Sequence, residues 1–443
     1  MLFTLEALPA QEGDCLLLHW GKRNDPKIAL IDGGPGRVYE NDLAPRLEEL
    51  VTNLEVEQLP LEIVMVSHMD SDHIVGVKKL LGALRRQIDN HAPDADRTIA
   101  ARRVWLNVFN DVLGDSVDEY YSTLTRTVEA NANGRPTTEV KKRIEEKLDQ
   151  KKIVEPELID FHAQNIAAVL AGHGEGRSVR DDHRFLFESN QCAPLNSPFE
   201  SDGGGATLIT LEKTPKAIDI EGLKIRIAGP SDAEIVALQK EFDAYIKKNG
   251  LTAEALLAAY SDPSVKNLSS IVCLVEFGKG AQKKRILLTG DARGDLLLNG
   301  LKKQKLMKDG KLVVDVLKVP HHGSDNNVER EFFDQIVADT YVLSGDGKHG
   351  NPERDTIDWI VQSRGKTAKF ELVLTYDVDH IDANRKKEFE TKQKKKKPAN
   401  REQWDHDTMS LETFFAEKKA AKFKFRVLTG ARKIDLGDEA VDY

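Results

Sequence analysis

Two hydrophobic periods alternate along the first hundred residues. Phe3-Thr4-Leu5-Glu6-Ala7-Leu8 alternates with period two, and Cys15 to Trp20 and Ile28 to Ile31 are short apolar runs ended by Gly21 and by Asp32-Gly33-Gly34. Strands joined by polar turns are predicted there. Leu43, Leu47, Leu50 and Leu54 recur at helical spacing, Ile63 to Val66 is an apolar run of strand length, and Ile74 to Leu84 again reads as helix. From about residue 107 to 199 the pattern is mostly helical: Val140, Ile144 and Leu148 form a stripe after Pro136, and Ile166 to Leu170 adds another segment. Strands return after Gly203-Gly204-Gly205, at Thr207 to Leu211 and Leu223 to Ala228. A hairpin is predicted from Ile271 to Leu288 around Gly278-Lys279-Gly280, with later strands at Val313 to Val319, Thr340 to Leu343 and Lys422 to Leu428. The prediction is an α/β fold in two parts, 1–106 and 200–360. A helical insertion (107–199) interrupts it, and a C-terminal extension (361–443) with a basic loop and closing strands follows.

Composition narrows the class. A chain of 443 residues, 40% hydrophobic and 31% charged, is that of a globular protein with a large core and two or three structural units. No apolar stretch approaches the ~18 residues of a membrane span, so no membrane association is expected. The first twenty residues lack a basic start and are interrupted by Glu6, Glu12 and Asp14, so no signal peptide is read. Cys15, Cys192 and Cys273 are sparse and odd in number, which excludes a disulfide framework and makes the cytoplasm the expected location. The net charge of -9 disfavours a broad basic face. Positive charge gathers locally at 385–401, with nine Lys and Arg against Glu388 and Glu390. A solvated loop is the ordinary reading of such a run. If the substrate carries phosphates, Lys394, Lys395, Lys396 and Lys397 are the candidate nucleic-acid contacts.

Candidate chemistry sits where three predicted strands end. "IVMVSHMDSDHIVG" (63–76) places His68, Asp70, Asp72 and His73 within six positions directly after a buried run. Four such groups at a strand end repel one another and are poorly solvated unless a cation joins them. "ILLTGD" ends at Asp291, and "VLKVPHHGS" carries His321, His322 and Ser324. Alone, Thr-Gly-Asp reads as a turn and His-His-Gly as a loop. Strand ends converge at one edge of a sheet, so the first cluster makes the other two its expected partners. His19, His91, His162, His173, His183, His380 and His406 lack ligand-type neighbours at useful spacing and read as packing or surface residues, with His183 of interest if the insertion covers the site.

The His68-x-Asp70-x-Asp72-His73 run resembles the HxHxDH signature of the metallo-β-lactamase superfamily. With "LLTGD" (287–291) and "LKVPHHGS" (317–324), it looks like one branch, the soluble hydrolase domain of the DNA-uptake protein ComEC and its free-standing relatives. "GDCLLL" (13–18) and "ALIDGG" (29–34) are similar to the family's opening hairpin. The resemblance covers 1–106 and 200–360, and it implies a metallo-β-lactamase αββα sandwich. It further implies two divalent ions, one held by His68 and Asp70, the other by Asp72 and His73, with Asp291 bridging and Asp32 supporting. His321 and His322 either complete the second ion or touch substrate oxygens. Asp72, His322 and Ser324 are the catalytic candidates. The family's channel is absent, so DNA transport is not implied. "RIAGPSD" (226–232) has no histidine, and "KHGNPE" (348–353) carries Asn351 where relatives carry histidine, with His349 two residues away. The oxygen-rich set favours Mn²⁺ or Mg²⁺, and its histidines admit Zn²⁺. Two such ions activate water and hold attacking and leaving oxygens. The expected activity is hydrolysis of a phosphodiester, DNA or RNA among the candidates. The alternatives are hydrolysis of a carbonyl ester, lactone or thioester, and a non-catalytic module that binds nucleic acid or a partner through the basic run.

Overall fold

The computed structural model describes residues 1–90, 98–107, 175–176, 178–199, 208–236 and 269–443. Most of the expected insertion, including the Val140, Ile144 and Leu148 stripe, lies outside the described residues. Its described end contains a helical stretch at 178–188. Among the described residues, no helix is long and apolar enough to cross a membrane.

The protein is an α/β structure built on two mixed sheets. The first contains β1 (Leu2–Ala7), β2 (Leu16–Lys22), β3 (Asp25–Ile31), β4 (Leu59–Met65), β5 (Ile99–Ala101), β6 (Val104–Trp105) and β15 (Arg432–Asp435). Its order is β15-β1-β2-β3-β4-β5, with β6 also on β4. The second contains β7 (Ile218–Ile220), β8 (Leu223–Gly229), β9 (Val272–Phe277), β10 (Lys284–Leu288), β11 (Leu312–Lys318), β12 (Ile336–Leu343), β13 (Lys369–Leu374) and β14 (Lys424–Thr429), ordered β14 through β7. In each sheet the early strands pair antiparallel, and β3–β4 and β10 through β14 pair parallel.

Period-two alternation gives each sheet two apolar faces. Phe3, Leu5, Leu16, Leu18, Ile31, Ile63 and Met65 of the first sheet meet Ile225, Ile227, Cys273, Val275, Ile286, Leu288, Val316 and Val342 of the second in one buried layer. The opposite face of the first sheet lies under α1 (Ala44–Asn53) and α2 (Ser71–Asp89), through Leu47, Leu50, Ile74, Val77, Leu80 and Leu81. The far face of the second lies under α3 (Gly294–Lys303), α4 (Arg330–Gln335), α5 (Arg354–Arg364), α6 (Val378–Lys395) and α7 (Leu411–Ala420). Each fully buried Leu, Ile or Phe contributes about 1.5–3 kcal/mol to this packing. Residues 361–443 contribute β13 and β14 to the second sheet and β15 to the first.

Two predicted local structures differ. Thr207 to Leu211 was expected as a strand, but residues 208–210 have no strand pairing. The Asn107 amide takes the place of a neighbouring strand, accepting from Ile209 N (2.7 Å) and donating to Ile209 O (3.0 Å). The expected basic loop is helical through Lys395. Its Lys, Arg, Glu and Gln are good helix formers. Asp382 ties the helix to α7 by accepting from Leu411 N (2.9 Å) and Glu412 N (3.1 Å).

Candidate metal centre

The C-terminal ends of β3, β4, β10, β11 and β12 deliver Asp32, His68, Asp291, His321–His322 and Ser344 to one region at the seam between the sheets. Asp70 stands at the N-cap of α2 with extended backbone, and its side chain makes no capping bond. Its carboxylate Oδ2 lies 3.8 Å from His68 Nε2. The next helical turn supplies Asp72 and His73. The approach of α2 is fixed by glycine: a Cβ on Gly76 would lie 2.0 Å from Gly33 O, and one on Gly33 would lie 2.4 Å from Val77 N. Asp32, His321 and His322 all have left-handed backbone (φ 59°, 49° and 54°). Such conformations cost about 1–3 kcal/mol each, which the surrounding packing must supply.

Asp291 is the centre of the cluster. Its Oδ1 lies 3.4 Å from His73 Nε2 and 3.5 Å from His322 Nε2. Its Oδ2 lies 3.7 Å from both His68 Nε2 and His321 Nε2. His73 Nε2 and His322 Nε2 are 3.2 Å apart, and Asp72 Oδ2 lies 3.8 Å and 3.5 Å from them. Donor atoms placed tetrahedrally about an ion at ~2.1 Å are separated by about 3.4 Å, the spacing seen here.

The far nitrogen of every ring faces an oxygen. His73 Nδ1 lies 2.9 Å from Asp32 Oδ2, and His321 Nδ1 lies 2.6 Å from Asn327 Oδ1. Asn327 Nδ2 donates to Asp291 O (3.0 Å), which fixes the orientation of that amide. His322 Nδ1 lies 3.4 Å from Asp14 Oδ1 and 3.3 Å from Ser344 Oγ. Ser67 donates its hydroxyl proton to Asp32 Oδ2 (2.7 Å), leaving Oγ to accept from His68 Nδ1 at 3.2 Å. With protons held at Nδ1, all four Nε2 lone pairs converge on carboxylates. His68 Nε2 and Asp291 Oδ1 are buried with no hydrogen-bond partner. A cation placed between these nitrogens and the carboxylates could satisfy both.

The charges agree. Asp14, Asp32, Asp70, Asp72 and Asp291 gather here, and the lysine that meets them is Lys318, itself 1% exposed. Burial pulls His73 and His322 down, but Asp291 with Asp32 and Asp72 for His73, and Asp291 with Asp14 for His322, hold both well above the ordinary histidine value. Burial and then His73 hold His68 below it. Burial pushes Asp291 up, and His322, His73, His321 and His68 outweigh it, so it stays well below the carboxylate range. Asp72 is likewise held low against its burial, by His73 and His322. Two imidazoles cannot both present a proton across 3.2 Å. A metal ion between them could satisfy both nitrogens at once.

A buried group of Asp14, His73, Asp291 and His322 could therefore hold a metal ion. Within it Asp14 has a different position. It pairs with Lys318 Nζ, accepts from Ser344 Oγ, and faces the Nδ1 side of both rings, 3.7 Å from His73. It orients imidazoles and neutralises the lysine.

The cluster brings together His68, Asp70, Asp72, His73, Asp291, His321 and His322, with Asp32 behind them. It does not gather every expected residue. Ser324 is buried, and its Oγ accepts from Asn326 Nδ2 (3.2 Å) within its own turn. His349 is exposed, and its carbonyl accepts from Lys392. The Asn351 carbonyl accepts from Gly347 N (2.9 Å), closing the loop on itself. Lys394 to Lys397 are exposed at and beyond the end of α6. His19 is a buried packing residue beside Glu6 (3.0 Å), and His183 bonds Ala193 O (3.0 Å). Sequence reasoning missed Asp14, Lys318 and Ser344. The available signals were the Gly-Asp pair at 13–14, which matches the one at 290–291, and a lysine inside an apolar strand. Compared with known proteins, the chain matches no family model and no curated protein.

Proposed function

We propose that the protein is a metal-dependent hydrolase that cleaves phosphodiesters at this cluster. The carrying observation is the convergence of four Nε2 lone pairs on the two oxygens of Asp291, with an oxygen partner behind each ring. His68, Asp70 and His321 would hold one divalent ion against Asp291 Oδ2. Asp72, His73 and His322 would hold a second against Oδ1. The carboxylate-rich set suits Mn²⁺, with Zn²⁺ and Mg²⁺ as alternatives. The resemblance to the metallo-β-lactamase superfamily supports this reading, as do two face-to-face sheets with helices on both outer sides.

When bound, such ions lower the pKa of water and polarise the ester oxygen. The chain's own residues prepare the site. Asp32, Asp14 and Asn327 hold the imidazole tautomers through Nδ1. Asp70, Asp72 and His321, at 29%, 27% and 24% side-chain exposure, form the open side from which substrate enters. Asp72 would meet the second ion through Oδ2, which leaves its other carboxylate oxygen to take a water proton. His321 would close the first ion's ligand set on this open side through Nε2.

Metal content after reconstitution with Mn²⁺ or Zn²⁺, paired with hydrolysis of bis(p-nitrophenyl) phosphate and a lactone panel, tests the reading. About two ions per chain and phosphodiester turnover are expected. Turnover of lactones alone would move the function to carbonyl esters. A chain that retains no metal would end the hydrolase reading.

A further inference from the structure

The residue after β12, Ser344, touches both His322 and Asp14. The chain then enters a loop (345–353) that α6 holds along one side. Asn384 Nδ2 donates to Asp346 O (2.9 Å), Arg385 Nε to Gly350 O (3.3 Å) and Lys392 Nζ to His349 O (3.5 Å). Contact is close enough that a Cβ on Gly347 would lie 2.2 Å from Ile381 O. The helix is therefore anchored to the segment that starts at the cluster. From Asn384 to Lys395 it extends about 16 Å further.

Along this length the surface is strongly basic, within a chain whose net charge is -9. Lys386, Lys387, Lys394, Lys395 and Lys397 are exposed and make no ion pair among the described residues, whereas Lys396 reaches Glu402 (3.7 Å). One or two lysines suffice to complement a helix C-terminus, so the dipole does not account for the run. The helix also lacks an exposed apolar side. Ile381 is buried in the core, and Phe389 packs edge-on to Trp404 (5.7 Å). Insertion into a lipid surface needs such a face, and a protein interface needs apolar anchors at its centre. Phosphate contacts need only cations.

We propose that the exposed lysines of α6 and the turn after it form a phosphate track that holds a nucleic-acid strand leading to the His/Asp cluster. Binding stands on the charge and position of α6, and cleavage of the bound strand rests on the phosphodiesterase reading. The test compares the full chain with K394Q/K395Q/K396Q/K397Q, whose substitutions are exposed and keep good helix formers. Anisotropy of a fluorescein-labelled 30-nucleotide strand and of its duplex is read in EDTA from 50 to 200 mM NaCl. Each lost phosphate contact removes about 0.7–0.9 from the slope of log K against log salt. The variant, which removes three unpaired lysines and Lys396, should lose about 2–3 units of slope and at least tenfold in affinity at 50 mM. Equal affinity and slope in the two proteins would overturn the track, as would wild-type binding to phosphatidylserine vesicles with none to either DNA. Turnover of bis(p-nitrophenyl) phosphate separates the two readings. Strand binding without turnover counts against the hydrolase alone, and turnover without strand binding counts against the track alone.

Discussion

Replacing Lys318 with Met tests whether the site is assembled around an internal ion pair. Lys318 and Asp14 are each 1% exposed. The ammonium also lies 3.2 Å from Gly290 O and 3.8 Å from Asp291 Oδ1. A charge pair near 4 Å interacts by about 4 kcal/mol at an effective dielectric of 20, and desolvation of both partners offsets much of that. Removing one partner leaves the other buried and uncompensated, at about 3–5 kcal/mol. Met keeps the apolar stem, so the loss is charge rather than volume. Lys318→Met is expected to cost about 3–5 kcal/mol in urea unfolding followed by tryptophan fluorescence, with EDTA present to exclude ligand linkage. The double variant with Asp14→Asn should recover at least 2 kcal/mol relative to the sum of the singles. The signs fix the pH window. Burial raises Asp14, but Lys318 and then His322 hold it well below its ordinary value. Its contribution is present above about pH 3.9 and is lost as pH falls through the lower folded value. Burial lowers Lys318, but Asp14 and Asp291 raise it further. Its contribution is present below about pH 10.4 and is lost as pH rises through the higher folded value. Between pH 5 and 9 the penalty should therefore stay level. A cost under 1 kcal/mol, or additive single effects, would refute the pair as an organising element.

Asp291→Asn should lower bound Mn²⁺ from about two ions to one or none while the far-UV spectrum is kept; full metal content would exclude it as the shared carboxylate. In EDTA-treated protein, the stability that His73 and His322 gain from being held above the ordinary value is complete below about pH 6.5 and is lost as pH rises through their folded pKa values. Metal requires the deprotonated rings, so the melting-temperature gap between Mn²⁺-loaded and EDTA-treated protein should widen from pH 6 to 8.5, and a constant gap would contradict it. Gly76→Ala puts a methyl 2.0 Å from Gly33 O, which should cost about 1–3 kcal/mol and displace His73 from Asp32. Calorimetry and metal content should fall together, and a neutral effect on both would show that the approach of α2 can relax.

The sequence made legible what is local. The strands ending at Met65, Leu288 and Lys318 are apolar runs, and the ligand-type residues follow each within a few positions. β10 and β11 are parallel neighbours whose C-terminal ends share one edge, and the packing of the two sheets face to face brings the end of β4 beside them. Asp14 was not legible, because an aspartate after glycine in a hairpin looks like any turn residue. Its role depends on the hairpin meeting the α2 loop: Asp14 N donates to Asp72 O (3.3 Å), and a Cβ on Gly13 would lie 1.8 Å from that same oxygen. Lys318 was hidden because its aliphatic stem lets a lysine pass through an apolar strand until a buried acid is found beside it. The helix at 378–395 was misread because its charged residues leave little apolar stripe. It is held by Ile381, Asp382 and the buried Gln393 instead of by an amphipathic face.

The location of the cluster ties folding to binding. The first sheet and the α2 loop provide Asp14, Asp32, His68, Asp70, Asp72 and His73, and the second sheet provides Asp291, Lys318, His321, His322 and Ser344. Without a cation, the two halves meet across the seam through imidazole–carboxylate contacts of 3.4–3.7 Å, and the carboxylates oppose one another. A metal ion at this seam takes ligands from both sheets, so its binding energy acts on the packing of one layer against the other. Lys318 performs a smaller version of the same task permanently, since it extends from β11 of the second sheet to Asp14 of the first. The fold thus holds the site partly assembled with an internal cation, and the negative charge that remains is what a metal ion from solvent could neutralise.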